Sequence, residues 1–251
     1  MKGPFDLSGR CAVVTGASTG LGRGMGLALA QAGADLLLSD RTSCESVAQE
    51  VRAMGRRAVT VEADLLEHRS VEQITATAIS ELGKIDILIN NAGIIRRTPA
   101  IDFSEVDWDE VMTINTKAVF FLAQAAARDM MKRSWGKIVN VASLLAFQGG
   151  ILVPSYAASK GAVAQVTKAL ANEWASRGIT VNAIAPGYMA TNNTRALRED
   201  PVRSKAILER IPAGRWGEPA DLGGAAVFLS SPASDYVNGH VLVVDGGWLA
   251  R

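Results

Sequence analysis

Three residues near the middle of the chain carry side chains suited to proton transfer. Tyr156 and Lys160 are four positions apart, and Ser143 lies thirteen residues before the tyrosine. Side chains at i and i+4 share one face of a helix, so this spacing predicts that Lys160 lies beneath the Tyr156 ring. A phenol ionises near pH ~10, and a neighbouring ammonium favours the phenolate. The trio therefore predicts an acid/base centre in which Lys160 lowers the pKa of Tyr156.

The residues before Tyr156 predict the start of a helix. Proline is tolerated in a first turn and serine is a good N-cap, which suits Pro154 and Ser155. Tyr156 then falls near the positive end of the helix, where a developing anion is favoured. The alternative is an ordinary surface contact, because Tyr and Lys at this spacing occur on many helices.

Short apolar runs alternate with helical patterns along nearly the whole chain, which is typical of a parallel sheet covered by helices. Several runs are apolar at consecutive positions, as in strands buried on both faces. We predict an α/β fold with a single doubly wound, seven-stranded parallel sheet, Rossmann-like, with helices on both faces, in one domain over residues 1–251. The predicted strands are Cys11 to Thr15, Asp35 to Ser39, Ala58 to Glu62, Ile85 to Asn90, Lys137 to Val141, Thr180 to Ile184 and His240 to Val244.

One long stretch, from Pro186 to Gly217, departs from the alternation because it contains no predicted strand and several arginines. A long connection inside a compact domain usually has a function. We therefore predict a helical lid at about residues 187–217. A passive surface excursion is the alternative.

A glycine-rich turn follows the first predicted strand and opens a helix, with the spacing G-x-x-x-G-x-G. Glycines allow close approach to a phosphate, and the helix N-terminus offers unpaired N–H groups. A dinucleotide site is predicted, with pyrophosphate contacts from Gly16, Ser18, Thr19, Gly20, Leu21 and Gly22.

Asp40, after the second predicted strand, has the position of a carboxylate that binds ribose hydroxyls and repels a 2′-phosphate. It predicts NAD over NADP, although the adjacent Arg41 could soften that choice. Ligands bind outside the carboxyl ends of such strands. The ends of the third and fourth strands should therefore join the same crevice, through Asp64, Leu65, Asn91, Ala92 and Gly93.

Taken together, Thr15-Gly16 through Gly22, Asn90 through Gly93, Asn115, Ser143, Tyr156, Lys160 and Pro186-Gly187 resemble the short-chain dehydrogenase/reductase family over essentially the whole chain. The resemblance implies that Tyr156 is the acid/base, that Lys160 also binds the nicotinamide ribose, and that Ser143 hydrogen-bonds the reacting oxygen. It implies that Asn115 holds a water in a proton relay; a helix-kinking role is compatible with this. Further cofactor contacts are expected from Pro186, Gly187, Met189 and Thr191, and a homotetramer is implied.

Ile95-Arg96-Arg97, residues 147–151, residues 187–194 and the ending Asp245 to Arg251 look like family members that act on deoxy sugar acids. This implies an oxidoreductase that interconverts a secondary alcohol and a ketone. A carboxylate invites a bidentate arginine, so we expect Arg96 or Arg97 to bind it. Gln148, Asn192 and Asn193 are candidate hydroxyl ligands. All five could equally be structural.

Two other functions remain open. A 3-oxoacyl carrier-protein reductase would share the catalytic residues, but it would usually prefer NADP and need an apolar channel. A non-catalytic nucleotide-sensing regulator should have lost part of the Ser-Tyr-Lys set, which is intact here.

The chain has 26 basic and 25 acidic residues, a net charge of +1, so no global field recruits nucleic acid or membrane. The two cysteines, Cys11 and Cys44, match no metal or redox spacing, and no metal is expected. We expect free thiols in a reducing, cytoplasmic compartment and no membrane span. Six small residues on the helix from Tyr156 suggest close packing against another subunit: Ala157, Ala158, Gly161, Ala162, Ala169 and Ala171.

Overall fold

The structure is a computed structural model that describes residues 3–251. Its centre is a seven-stranded sheet in the order β3-β2-β1-β4-β5-β6-β7, and every neighbouring pair is parallel. This confirms the predicted doubly wound sheet. The strands are β1 (Cys11–Thr15), β2 (Asp35–Asp40), β3 (Ala58–Glu62), β4 (Ile87–Asn90), β5 (Gly136–Val141), β6 (Ile179–Pro186) and β7 (Val241–Val244).

The connections between strands run largely through helices, as parallel pairing requires. The helices are α1 (Gly20–Gln31), α2 (Glu45–Ala53), α3 (Arg69–Leu82), α4 (Glu105–Met112), α5 (Val119–Met130), α6 (Pro154–Trp174), α7 (Arg195–Glu199), α8 (Pro201–Arg210) and α9 (Gly223–Ser230). A π-helical turn, Thr113–Ala118, joins α4 to α5.

The sheet is buried on both faces because successive side chains of a strand point to opposite sides. In β1, Ala12 and Val14 belong to a core shared with α1, α2 and α9, whereas Cys11 and Val13 belong to a core shared with α3, α5 and α6. The apolar runs were therefore correctly interpreted as strands covered on two sides.

The structure corrects several strand limits. Ile85 lies before β4 and donates its N–H to Asp129 Oδ2 (3.0 Å), and His240 lies before β7. β2 continues to Asp40 and β6 to Pro186, so both strands run up to residues that line the cleft.

The segment after β6 contains two short helices, α7 and α8, as predicted for residues 187–217. Asp200 caps α8 by accepting hydrogen bonds from the N–H groups of Val202 (2.9 Å) and Arg203 (3.0 Å). Pro201 occupies the first turn, where its missing N–H costs nothing.

Both thiols, Cys11 and Cys44, are buried and free. Within residues 3–251, no helix is long and apolar enough to cross a membrane.

Candidate active site

The helix that carries Tyr156 starts two residues earlier than a Ser155 cap would require. Val153 is the N-cap and Pro154 the first helical residue. Ser155 lies inside the helix, and its buried Oγ has no hydrogen-bond partner among residues 3–251. The predicted cap is therefore wrong, but Tyr156 is the third residue of α6 and lies in its first turn, as expected.

The proton-transfer trio assembles at the carboxyl end of β5. Lys160 Nζ lies 5.5 Å from the Tyr156 ring centroid, which confirms the shared helix face. The ammonium donates to Val141 O, at the last residue of β5 (2.6 Å). The Ser143 side chain lies close enough to the Tyr156 hydroxyl group to lower the pKa of the phenol, and Ser143 Oγ accepts from the N–H of Leu145 (3.2 Å).

Burial dominates the electrostatics of this pair. It raises the pKa of Tyr156, while the hydrogen bond to Ser143 and the Arg97 charge partly oppose that rise. It lowers the pKa of Lys160 to about 8. Burial outweighs both opposing groups, and Lys160 is not among the groups that shift this pKa, so the lowering of the Tyr156 pKa by Lys160 stays a prediction.

Asn115 lies in the π-helical turn and is completely buried. Its Oδ1 accepts from the N–H of Ile94 (2.9 Å), and its Nδ2 donates to Ile94 O (3.0 Å) and to Ser159 Oγ (3.1 Å). Ser159 in turn donates to Tyr156 O (2.8 Å). Asn115 therefore ties the loop after β4 to the first turns of α6, and its side chain does not line the cleft.

A cleft of about 630 Å³ runs along the carboxyl ends of the strands. It brings most of the predicted site residues together. Those that line it are Gly16, Ser18, Thr19, Gly20, Leu21, Asp40, Arg41, Asp64, Leu65, Asn91, Ala92, Gly93, Arg96, Ser143, Tyr156, Lys160, Pro186, Gly187, Met189, Thr191, Asn192 and Asn193. Asn115, Gly22, Arg97 and Gln148 are not among the lining residues.

The glycine-rich turn has the conformation that its sequence predicts. Gly16 and Gly20 have φ values of +63° and +56°, which residues with a side chain rarely adopt. The first turn of α1 holds no acidic residue, and Thr19 makes no side-chain cap, so the helix N-terminus is available to an anion. Gly22 corrects the predicted list: a Cβ there would overlap Gly16 O and the Asn91 side chain, so it serves close packing.

Asp40 ends β2 and faces the glycine-rich turn. Its Oδ2 accepts from the N–H (3.2 Å) and Oγ (2.6 Å) of Ser18, and its Oδ1 accepts from the N–H of Arg41 (2.8 Å). The carboxylate is thus held in the cleft by three donors, and a dinucleotide that binds here must meet its charge.

The two candidate arginines have different surroundings. Arg96 forms ion pairs with two carboxylates of α4, Asp107 (3.2 Å) and Glu110 (2.6 Å). Arg97 forms no ion pair with any carboxylate of residues 3–251, and its Nη2 donates to Asn193 O (3.0 Å). Its charge opposes the rise in the Tyr156 pKa. Of the two arginines, Arg97 is therefore the one whose charge near the phenol has no carboxylate partner.

Two of the remaining polar candidates, Asn192 and Gln148, already have protein partners. Asn192 Oδ1 accepts from Arg195 (2.8 Å), and Gln148 Oε1 accepts from the Trp248 indole N–H (3.2 Å). Sequence reasoning missed Thr42, Leu66, Ile94 and Thr194, which also line the cleft. The first three follow strand ends, so the position of those ends was the available signal. No group of three or more His, Cys, Asp or Glu side chains among residues 3–251 could hold a metal ion.

The fold, the glycine-rich turn and the Ser-Tyr-Lys trio define a nicotinamide-dependent oxidoreductase class, and the comparisons agree. A short-chain dehydrogenase model described as enoyl-(acyl carrier protein) reductase matches residues 16–249. The chain belongs to the short-chain dehydrogenase/reductase family.

Within this family, the chain is similar to several enzymes that act on sugar acids. The 2-dehydro-3-deoxy-D-gluconate 5-dehydrogenases of Escherichia coli (strain K12) and Dickeya dadantii (strain 3937) are 57% and 56% identical over 248 residues, covering 98% of each chain. A solved structure from Agrobacterium tumefaciens, provisionally described as a 2-deoxy-D-gluconate 3-dehydrogenase with bound NADP, is 54% identical. It covers 100% of both chains with a TM-score of 0.94.

Proposed function

We propose that this protein interconverts a secondary alcohol and a ketone on a deoxy sugar acid, with 2-dehydro-3-deoxy-D-gluconate as the first candidate substrate. The observation that carries the proposal is that Ser143, Tyr156 and Lys160 meet at the wall of one cleft of about 630 Å³, with Lys160 beneath the Tyr156 ring. The names of relatives that are 56% and 57% identical over nearly the whole chain support the choice of substrate.

Tyr156 is the proposed acid/base. Its phenolate oxygen accepts the proton of the substrate alcohol during oxidation, and its neutral hydroxyl group donates a proton to the ketone oxygen during reduction. A bound nicotinamide supplies the hydride acceptor or donor. Ser143 donates to the same substrate oxygen and so holds it beside the phenol.

Lys160 and Asn115 support that step from opposite sides. Lys160 is 4% exposed, and its ammonium is held within reach of the cleft by Val141 O. We propose that it donates hydrogen bonds to the ribose hydroxyls of the cofactor and stabilises the negative charge of the Tyr156 phenolate as it forms. Asn115 holds the loop after β4 against α6, and the family resemblance adds a relay water near this residue.

We assign the substrate carboxylate to Arg97. A guanidinium with no carboxylate partner can bind a carboxylate in a bidentate manner, whereas Arg96 is already paired with Asp107 and Glu110. Changing Arg97 to Gln is expected to raise the KM for the sugar acid about tenfold or more and to leave neutral polyols nearly unaffected. The matched variant Arg96→Gln should chiefly lower the melting temperature. An equal rise for acidic and neutral substrates would contradict the assignment.

For the cofactor, we propose NAD over NADP because the Asp40 carboxylate lies in the cleft and would oppose a 2′-phosphate. The Agrobacterium relative has bound NADP, which makes NADP the alternative to test. Asp40→Asn removes the charge at constant shape and should lower the ratio of kcat/KM for NAD over NADP about tenfold or more. Asp64→Asn, at the next strand end, is the control. A wild-type preference for NADP would overturn the assignment.

The test of the function itself is a panel of deoxy and keto sugar acids, assayed with NAD, NADH and the phosphorylated cofactors. Tyr156→Phe should lose nearly all turnover and still bind NAD, whereas Tyr236→Phe, at a fully exposed position, should retain it. Substantial activity in Tyr156→Phe would reject the mechanism. Preferred turnover of a 3-oxoacyl thioester would replace the substrate class.

We further propose a cytoplasmic homotetramer in which each subunit is a single NAD(P)-binding domain and residues 187–217 form a lid over the substrate. Five of the six small residues predicted for a subunit contact are at least partly exposed on α6: Ala157, Ala158, Gly161, Ala162 and Ala169. Ala171 is buried against the protein's own core and drops out of that surface. Light scattering distinguishes a tetramer from a dimer or monomer.

A further inference from the structure

The last turn of the chain, Trp248–Ala250, packs into a small apolar cluster beside the candidate site. Trp248 is 4% exposed and shares this cluster with Leu144, one residue after Ser143, and with Ile207 and Ile211 at α8. The chain terminus, the lid segment and the Ser143 loop therefore meet at one tryptophan.

The indole of Trp248 is held from several directions. The Tyr188 ring lies 4.6 Å away between centroids, and the Arg210 guanidinium carbon lies 4.0 Å from the indole centroid. The backbone of the turn is fixed as well, because the N–H groups of Gly247 and Leu249 donate to the two oxygens of Asp245, both at 2.8 Å. The indole N–H consequently has a defined direction.

That N–H points at the side-chain amide of Gln148. Trp248 Nε1 donates to Gln148 Oε1 at 3.2 Å. An indole nitrogen can only donate, so it must face the carbonyl oxygen of the amide, because a reversed amide would set two donors against each other. The Gln148 NH₂ group must then point away from Trp248, and nothing in the described chain accepts a hydrogen bond from it.

Gln148 lies on the same short loop as Ser143. The 3₁₀ turn Leu144–Ala146 separates them, and the N–H of Gln148 donates to Leu144 O (3.1 Å). The loop therefore carries two polar groups, Ser143 close to Tyr156 and Gln148 bonded to Trp248.

Gln148 does not line the cleft itself but lies on the loop that follows Ser143, which does. We propose that Trp248 is a positioning residue that holds Gln148 with its NH₂ group presented to an oxygen of a bound sugar acid, so that Gln148 donates a hydrogen bond to the substrate. This inference rests on the proposed function for its substrate and assigns the terminal turn a part in substrate specificity. Arg251 strengthens the link, since its guanidinium donates to Glu209 O and to Arg210 O, so the terminus also grips the end of α8.

The first test is steady-state kinetics. Trp248→Phe keeps an aromatic ring and removes the N–H, and should raise the KM for the sugar acid about five- to twentyfold, the size expected for one polar contact, with kcat and the KM for the cofactor nearly unchanged. Gln148→Glu keeps an acceptor for Trp248 but loses both donors, and should raise the same KM further. Trp216→Phe, in the same cluster, is the control and should leave it unchanged.

A double variant separates positioning from simple packing. In the Gln148→Ala background, Trp248→Phe should add nothing further to the KM, because the group that it positions is gone. Additive effects, or an unchanged KM in Trp248→Phe, would overturn the inference. If Trp248→Phe fails to fold, Gln148→Glu and Gln148→Met test whether the Gln148 NH₂ group binds the substrate. A KM for the sugar acid equal to the wild-type value in both variants would overturn the inference.

A second measurement does not depend on turnover. The chain has five tryptophans, and the indole N–H signal that disappears from the NMR spectrum in Trp248→Phe identifies Trp248. Gln148→Ala should shift that signal and speed its exchange with solvent, and the absence of both changes would overturn the positioning contact. Inactivity of the wild-type protein on every sugar acid would instead reject the proposed function, and the indole signal would still report on the contact.

Discussion

A buried lysine lies at each end of β5, and the two differ in what surrounds the charge. Lys137, near the amino end, is 2% exposed, and its Nζ forms an ion pair with Asp235 at 2.7 Å. Lys160, on α6 at the carboxyl end, is 4% exposed and is bonded to the carbonyl oxygen of Val141 at 2.6 Å. Burial lowers the pKa of both, to about 8 for Lys160, but only Lys137 has an aspartate that opposes the shift.

The amino end of the sheet is internally neutralised. Asp86 is 1% exposed, accepts from the N–H of Cys11 (3.0 Å) and lies 2.9 Å from Lys84 Nζ. Asp129 similarly accepts from Arg133 at 2.9 Å. Charges here have partners within the fold, which is the usual requirement for burial.

The carboxyl end keeps polar groups that the fold does not neutralise. Lys160 and Arg97 have no carboxylate partner within the described chain, and Asp40 is bonded to neutral donors only. Such groups cost stability and are retained where a ligand completes them. The contrast explains why the same sheet is a scaffold at one end and a candidate active site at the other.

The largest expected difference between the two lysines is in turnover. Lys160→Met should reduce kcat about 10²- to 10⁴-fold, the range typical of a group that assists acid–base transfer. Lys137→Met should retain kcat within about twofold because it lies at the opposite end of the strand. Comparable losses in both variants would show that the lysines differ in surroundings but not in role.

The second expected effect is on stability as a function of pH. Because burial lowers the pKa of Lys160 from 10.5 to about 8, the unfolded chain binds a proton that the folded chain releases between those values, so stability rises with pH in that window. Below pH 8 the full cost of the buried charge is present. At pH 7 the free energy of unfolding of Lys160→Met should therefore exceed that of the wild type by more than it does at high pH. Between pH 7 and pH 9.5 this difference should shrink by roughly 2 kcal/mol. Urea unfolding at both pH values measures it, and a constant difference would show that the Lys160 pKa is not lowered.

A smaller loss of stability is expected at the amino end. Asp235→Asn leaves the Lys137 ammonium buried without a counter-charge, which should cost roughly 1–2 kcal/mol after allowance for the 62% exposure of the Asp235 side chain. Thermal unfolding measures the change, and kcat should be unaffected. In the Lys137→Met background the same substitution should be nearly neutral, and an undiminished loss there would remove the ion pair as the cause.

The smallest effect is expected at Ser155. Its Oγ is buried without a partner in the described chain, so Ser155→Ala removes an unsatisfied polar atom and favours the helix. The free energy of unfolding should stay equal or rise by up to about 1 kcal/mol, with kcat unchanged. A clear loss of stability in chemical denaturation would reveal a bond that the serine makes through water.

Much of the fold was predictable because buried parallel strands leave apolar runs in the sequence. The seven strands and their doubly wound arrangement follow from those runs, and errors were confined to residues such as Ile85 and His240 at strand ends, where polar contacts replace ladder bonds. Tyr156 and Lys160 were predictable because a four-residue spacing fixes a shared helix face. The Ser155 cap was wrong because the choice between neighbouring caps depends on what each side chain meets in the folded protein.

The sequence by itself determined the sheet, the glycine-rich turn and the presence of a Tyr-Lys pair on one helix, since each depends on local spacing and periodicity. The tertiary structure decided which polar groups have partners within the protein and which do not. Arg96 and Arg97 are adjacent and chemically identical, yet only Arg96 meets the carboxylates of α4. Gln148 and Trp248 are a hundred residues apart, and their hydrogen bond exists only because the chain terminus returns to the Ser143 loop. Long-range contacts of this kind leave no periodic signal in the sequence, so they are seen only in the folded structure.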